Sequence, residues 1–241
     1  MENEIKIKVK DLWFYYHQQP VLKNINIEIE SNKITSISGP SGQGKSTFLM
    51  TLNRLWENIP GTKVHGSIKI NFNNRFEDIF HKSLPLPLLR RKVGMVFQTP
   101  NPLPMGIYKN IAFPLKLMGE KNRELNFLKV KSALKKAFLW DEVKERLSQD
   151  AGVLSGGQQQ RLCMARTLVL KPEVLLLDEP TSSLDETSGR IIEELLLELK
   201  KKCTIILVSH YMDQVKRISD NRLILSEGQL KKYQNMEEKL G

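Results

Sequence analysis

The sequence predicts an α/β protein with a mainly parallel central sheet, an antiparallel β subdomain near the N-terminus and a helical insertion. Three observations predict it. Ile5, Ile7 and Val9, then Ile25, Ile27 and Ile29, then Ile68, Ile70 and Phe72 alternate with other residues, as half-buried antiparallel strands require. Val93 to Phe97, Val174 to Leu177 and Thr204 to Val208 are nearly continuous apolar runs, the pattern of parallel strands covered on both faces. Between them the charged stretch from Lys121 to Asp150 carries Leu125, Leu128, Ala133, Leu134, Ala137, Phe138 and Leu139, which suits helices packed as a separate layer.

At 241 residues, with 40% hydrophobic and 27% charged, the chain is long enough to bury a sizeable core. We expect a single domain over residues 1–241. Residues 1–98 and 160–241 would form the β subdomain and the core, and residues from about 99 to 159 the helical subdomain. The apolar runs are strand-sized and fall short of the roughly 20 residues a membrane helix needs, so a membrane role would act through a partner. The start alternates charge with apolar residues and reads as a first strand, not as a leader, so we expect the protein on the cytoplasmic side.

Cys163 and Cys203 lie in apolar stretches without zinc spacing and are expected to be reduced core thiols. The net charge of +10 includes a local excess from Lys63 to Lys92, where seven basic residues face two acidic ones. Nucleic acid, anionic lipid and an acidic partner loop would all suit it, so charge alone does not decide among them.

Residues Gly39, Pro40, Ser41, Gly42, Gln43, Gly44, Lys45, Ser46 and Thr47 form a GxxxxGK[ST] phosphate loop. Strand-like Ile34 to Ser38 precedes it, and Phe48, Leu49, Leu52 and Leu55 follow at helical spacing, the context the motif requires. Glycines let backbone N–H groups point at phosphates, Lys45 neutralises β and γ oxygens, and Ser46 can ligate magnesium. The loop makes the α/β core a phosphate-loop NTPase core, with a nucleotide's phosphates and Mg2+ as its ligands.

Val174 to Asp178 is an apolar strand ending in an acid, with Glu179 next. That arrangement brings the Asp178 carboxylate to a metal at the strand's carboxyl end and places Glu179 to activate or orient a water. Strands often end in acids, so the pair gains its meaning from the phosphate loop upstream.

Leu154, Ser155, Gly156, Gly157, Gln158, Gln159, Gln160 and Arg161 separate this chain from other phosphate-loop proteins. Ser155 is a good helix N-cap, and the glycines after it could admit a second phosphate contact. With these motifs the chain resembles the ATP-binding subunits of ABC transporters over almost its whole length. The resemblance implies a magnesium-dependent ATPase working as the motor of a membrane transporter. It assigns Tyr16 to adenine stacking, Gln98 to magnesium and γ-phosphate sensing, Asp185 to the dimer loop, His210 to the γ-phosphate, and Ser46, Gln98 and Asp178 to the metal. It implies catalytic roles for Glu179, His210 and Lys45, while His17, His65 and His81 match no role and are expected at the surface.

The resemblance also implies a head-to-tail homodimer, in which the ATP on one subunit's Lys45 loop is covered by Ser155, Gly156, Gly157 and Gln158 of the other. Membrane-spanning permease subunits would dock between the core and the helical insertion, with an extracytoplasmic binding protein if the transporter is an importer. No nucleic-acid partner is expected. Within the family, Asn58 to Gly61, Val96 to Met105 and the run from Leu154 to Glu179 are most similar to the ATPase of bacterial phosphate importers, although Arg75 to Pro87 departs from them. The alternatives are a soluble ABC ATPase acting on nucleic acid or ribosomes, and a plain phosphate-loop kinase. The first would bring a tandem copy or a long coiled coil, and the second leaves Ser155 and His210 without a purpose.

Overall fold

The computed structural model describes residues 4–81 and 83–233. Strands β1 (Ile5–Tyr16), β2 (Gln19–Glu30), β4 (Thr62–Phe72) and β5 (Arg75–Asp78) form an antiparallel sheet in the order β2-β1-β4-β5. Alternation puts Ile7 and Val9 of β1 on the buried face, but the parity then changes. The pairing of β1 with both neighbours shifts register between Val9 and Trp13, where Asp11 adopts φ 50. This is a β-bulge, and beyond it the even-numbered Leu12 and Phe14 point inward. The facing strand makes room with Gly66, where a Cβ would lie 2.3 Å from the Asp11 carbonyl oxygen.

The second sheet runs β10-β9-β3-β8-β7-β6, from β3 (Ile34–Ser38), β6 (Val93–Val96), β7 (Val174–Asp178), β8 (Thr204–Val208), β9 (Asn221–Ser226) and β10 (Gln229–Lys232). All its pairs are parallel except β9 with β10. Its central strands are apolar throughout because each face meets a different core. Leu175, Leu177, Ile205 and Leu207 pack with helices, whereas Val174, Leu176, Ile206 and Val208 pack with the antiparallel sheet and α1 (Lys45–Leu52). The sorting follows from strand geometry, which sends successive side chains to opposite faces.

The helical layer lies between β6 and β7 in the chain. It comprises α3 (Ile107–Leu117), α4 (Arg123–Lys136), α5 (Trp140–Val143) and α6 (Gly156–Leu168), after α2 (Leu86–Lys92). Val130, Ala133, Leu134, Ala137 and Leu139 are buried there, but Leu125, Leu128 and Phe138 are exposed, so the buried face of α4 is narrower than its apolar content suggests. The chain closes with α7 (Glu186–Leu199) and α8 (Met212–Ile218). Cys163 and Cys203 are buried and unbridged, and burial pushes the Cys203 thiol up to about 12. His17, His65 and His81 are exposed. Among the described residues no helix is long and apolar enough to cross a membrane.

Candidate functional site

The strand order sets β3, β8, β7 and β6 side by side, so their carboxyl ends deliver four loops to one edge of the sheet. After β3 the chain turns into α1 through Gly39 (φ 136), Gly42 (φ 74) and Gly44 (φ 98), backbone conformations that L side chains rarely adopt. At Gly39 a Cβ would also lie 2.1 Å from the carbonyl oxygen of Leu225, whereas at Gly42 it would meet nothing within 4 Å. The loop thus presses on β9 at its base and arches into open space. Gln43 ties it down further, its side-chain oxygen accepting from the Glu227 N–H at 2.8 Å.

Helix α1 has no side-chain cap, which leaves N–H groups of its first turn to an incoming anion. The Lys45 ammonium folds back on the loop and donates to the carbonyls of Gly39 at 2.9 Å and Pro40 at 2.8 Å. Burial lowers its pKa, against the opposing pull of the Glu179 and Asp178 carboxylates.

Asp178 ends β7, and the Ser46 side chain hydrogen-bonds to it. Burial raises the Asp178 pKa, reinforced by the Glu179 charge and opposed by Ser46, Lys45 and His210. Glu179 takes the left-handed conformation at φ 46, an unusual one for a non-glycine residue. Its N–H donates to Val208 at 3.0 Å, and its carbonyl accepts from the Ser182 N–H at 3.2 Å and the Ser182 hydroxyl at 3.1 Å. Backbone bonds therefore hold the strained residue while its carboxylate meets two side chains. His210 Nε2 lies 2.9 Å from one oxygen, and Gln98 Nε2 donates to the other at 3.3 Å.

The bulge at Asp11 decides which aromatic reaches this edge. Tyr16 shares the inward parity of Leu12 and Phe14, and its hydroxyl lies 3.5 Å from Thr47 Oγ1 in the phosphate loop. Trp13 and Tyr15 have the other parity and stack on each other with ring centroids 6.2 Å apart, with Tyr15 also edge-on to His65.

The turn at Ser155 stands apart from this group. Ser155 and Gln158 form a reciprocal capping box, with Ser155 Oγ accepting from the Gln158 N–H at 3.3 Å and Gln158 Oε1 accepting from the Ser155 N–H at 3.0 Å. Gly156 lies by Leu184, and a Cβ at Gly157 would lie 2.6 Å from Ser188 Oγ. Ser188 itself donates through its N–H and hydroxyl to Asp185, the N-cap of α7. Within one chain the turn therefore packs on α7, and none of these contacts is to the phosphate loop.

Some contacts around the site escaped the sequence reading. Ser182 braces both Gln98 and Glu179. Gln160 reaches across from α6 to donate to the Phe97 carbonyl at 3.0 Å, next to Gln98. Behind His210, buried Gln214 accepts from Ser209 Oγ at 2.9 Å and donates to Thr181 Oγ1 at 3.0 Å. These are single polar residues without a spacing rule, and the one available signal was their place inside or beside motifs.

A glycine cradle on an uncapped helix, a lysine inside it and an acidic strand end beside it define a phosphate-loop nucleoside triphosphatase. The comparisons with known proteins narrow that class: the ABC transporter family matches residues 22–182. The chain is 47% identical over 229 residues to phosphate import ATP-binding protein PstB 2 of Aliivibrio fischeri, covering 95% of this chain and 83% of that protein. It is likewise 47% identical over 232 residues to PstB 2 of Bacillus subtilis, covering 96% and 85%.

Among solved structures, cbiO1 from Clostridium perfringens, part of an ABC transporter complex, superposes with a TM-score of 0.79 at 30% identity over 95% of this chain and 87% of that one. A dimeric post-hydrolysis state of an ATP-binding cassette bound to ADP and Pi gives 0.76 at 30%, over 95% and 100%. The chain belongs to the ABC transporter family, as one of its ATPase subunits.

Proposed function

We propose that this chain is the ATP-driven motor of a phosphate importer. The observation that carries the chemistry is the meeting of Glu179 with His210 at 2.9 Å and Gln98 at 3.3 Å, on the sheet edge that bears Lys45, Ser46 and Asp178. Lys45 exchanges its two loop carbonyls for the β and γ phosphates of ATP. Glu179, its backbone fixed, accepts the proton of the attacking water, and the bond between water oxygen and γ-phosphorus forms as the bond to ADP breaks. His210 and Gln98 hold that carboxylate in place and contact the γ-phosphate side, and Tyr16 stacks on the base.

The hydroxyl of Ser46, the carboxylate of Asp178 and the amide oxygen of Gln98 are hard oxygen donors of the kind magnesium takes, few in number because the ion keeps waters and phosphate oxygens. Bound there, it would neutralise charge on the β and γ phosphates.

Because the Ser155 turn of one chain packs on its own α7, the turn that completes a site comes from a second copy in a head-to-tail homodimer, with Asp185 at the crossing loop. Permease subunits dock where exposed Phe113 and Leu117 stand beside Arg91 and Arg166 along a groove of about 340 Å³. This holds the motor on the inner face of the membrane, with an extracytoplasmic binding protein on the far side. The cargo is supported by 47% identity over 95% of the chain to a protein named for phosphate import.

The test has two arms. Glu179→Gln should cut turnover by about 10²–10⁴-fold with ATP binding retained. Mixing it with Ser155→Arg should restore one working site per heterodimer, and no recovery despite proven heterodimers would refute the shared site. Expressed with a phosphate permease in cells lacking their own import ATPase, the chain should restore uptake of radiolabelled phosphate. ATPase activity without such uptake would reject the cargo and keep the motor.

A further inference from the structure

At the end of the parallel strands opposite the phosphate loop, a cavity of about 490 Å³ opens between the end of α4 and the turns that enter β7 and β8. That volume falls in the range of small-molecule pockets. Its floor is apolar, with Phe138 and Leu199, and Phe138 is held at φ 50 and is 40% exposed as a residue. The rim is basic, with four lysines and a single glutamate. Lys201 is paired with that Glu198 at 3.1 Å. Lys136, Lys171 and Lys202 have no carboxylate within ion-pairing distance among the described residues. The charges of Lys171 and Lys202 reach Lys136, whose pKa is lowered first by burial and then by those two charges.

Lysines at the ends of α4 and α7 complement the helix dipoles. Lys171, in a left-handed turn at φ 52 just after the end of α6, does the same, but the dipoles do not account for the cavity between the three. We infer that this cavity binds a small phosphate ester, whose charged head sits among Lys136, Lys171 and Lys202 and whose flat apolar body lies on Phe138 and Leu199. Lys136 and Phe138 come from the helical layer and Lys171 and Lys202 from the core, so an occupant ties the two together. The site is independent of the ATP site and of the cargo.

The probe is 1-naphthyl phosphate, titrated calorimetrically into the full chain with ATP and magnesium saturating. Saturable binding should persist under these conditions. The triple variant Lys136→Gln, Lys171→Gln, Lys202→Gln, with an unchanged melting curve, should bind roughly thirtyfold more weakly, about threefold for each exposed charge pair lost. Uncharged 1-naphthol should bind at least about tenfold more weakly than the phosphate. No binding, displacement of the probe by ATP, or equal affinity in the triple variant would overturn the proposal. So would lysine-dependent binding to phosphatidylglycerol vesicles without binding of the probe, which would make the patch a lipid contact.

Discussion

Removing the Arg161 side chain should loosen the Ser155 turn from behind. Arg161 is 4% exposed and donates to the carbonyls of Gly157 and Phe138 and to the Glu142 carboxylate, which also accepts from Gln158 at 2.8 Å. Breaking a buried ion pair costs about 3–5 kcal/mol when the surviving charge stays buried. In Arg161→Met the survivor is Glu142, whose side chain is 39% exposed and regains water, so the loss belongs at the lower end, about 3 kcal/mol. For a chain of this size that lowers Tm by about 6–12 °C, measurable by calorimetry or urea unfolding.

The mirror variant, Glu142→Ala, strands the more buried partner and should cost at least as much. Burial works to raise the Glu142 pKa, but the hydrogen bonds from Arg161 and Gln158 and the charges of Arg161 and Arg146 outweigh it and hold it below the ordinary range. The folded value is depressed, so this contribution is full above the unfolded pKa near ~4.3 and is lost as pH falls through the folded value. The gap between wild type and Glu142→Ala should therefore close below about pH 4. A loss under about 1 kcal/mol in Arg161→Met, or a gap that does not change with pH, would refute this account.

Gly39→Ala should destabilise the fold by about 2–3 kcal/mol and abolish ATP binding, because its Cβ meets the Leu225 carbonyl and its φ is unfavourable; wild-type melting would contradict it. Tyr16→Ala should weaken ATP binding by about 1–3 kcal/mol, with little effect from Tyr15→Ala, and the reverse order in a fluorescent-nucleotide titration would mean the parity is misassigned. Asp178→Asn should raise the Tm of the nucleotide-free protein at neutral pH while removing its magnesium-dependent ATP affinity. The sign follows from the raised Asp178 pKa, since a carboxyl that binds its proton more tightly when folded costs stability once pH exceeds both values. A lower Tm in that variant would count against it.

The fold class and the chemistry were legible because both are written in contiguous patterns. A phosphate loop needs its glycines, lysine and hydroxyl in one run, and a buried parallel strand needs an unbroken apolar stretch. The side from which an aromatic faces the site was not legible from alternation. From Ile7 and Val9 alone, alternation points Trp13 and Tyr15 inward, and only the bulge at Asp11 reverses it. The expectation for Tyr16 came instead from family position. Counting apolar residues on α4 likewise overstated its buried face, because Leu125 and Leu128 turn outward while Val130 packs in. Ser182, Gln160 and Gln214 act through contacts between residues as far apart as 84 positions, which no local spacing encodes.

Gln160 has a mechanical consequence. It sits in the second turn of α6, whose first residues follow Ser155, and it grips the carbonyl of Phe97, the residue before Gln98. One helix thus both touches the residue before Gln98 and carries the Ser155 turn at its start. In the pairing proposed above, neither nucleotide could be spent without the other site registering the strain. Such a molecule would behave as a differential gauge, comparing the two sites continuously and releasing its stroke when both agree.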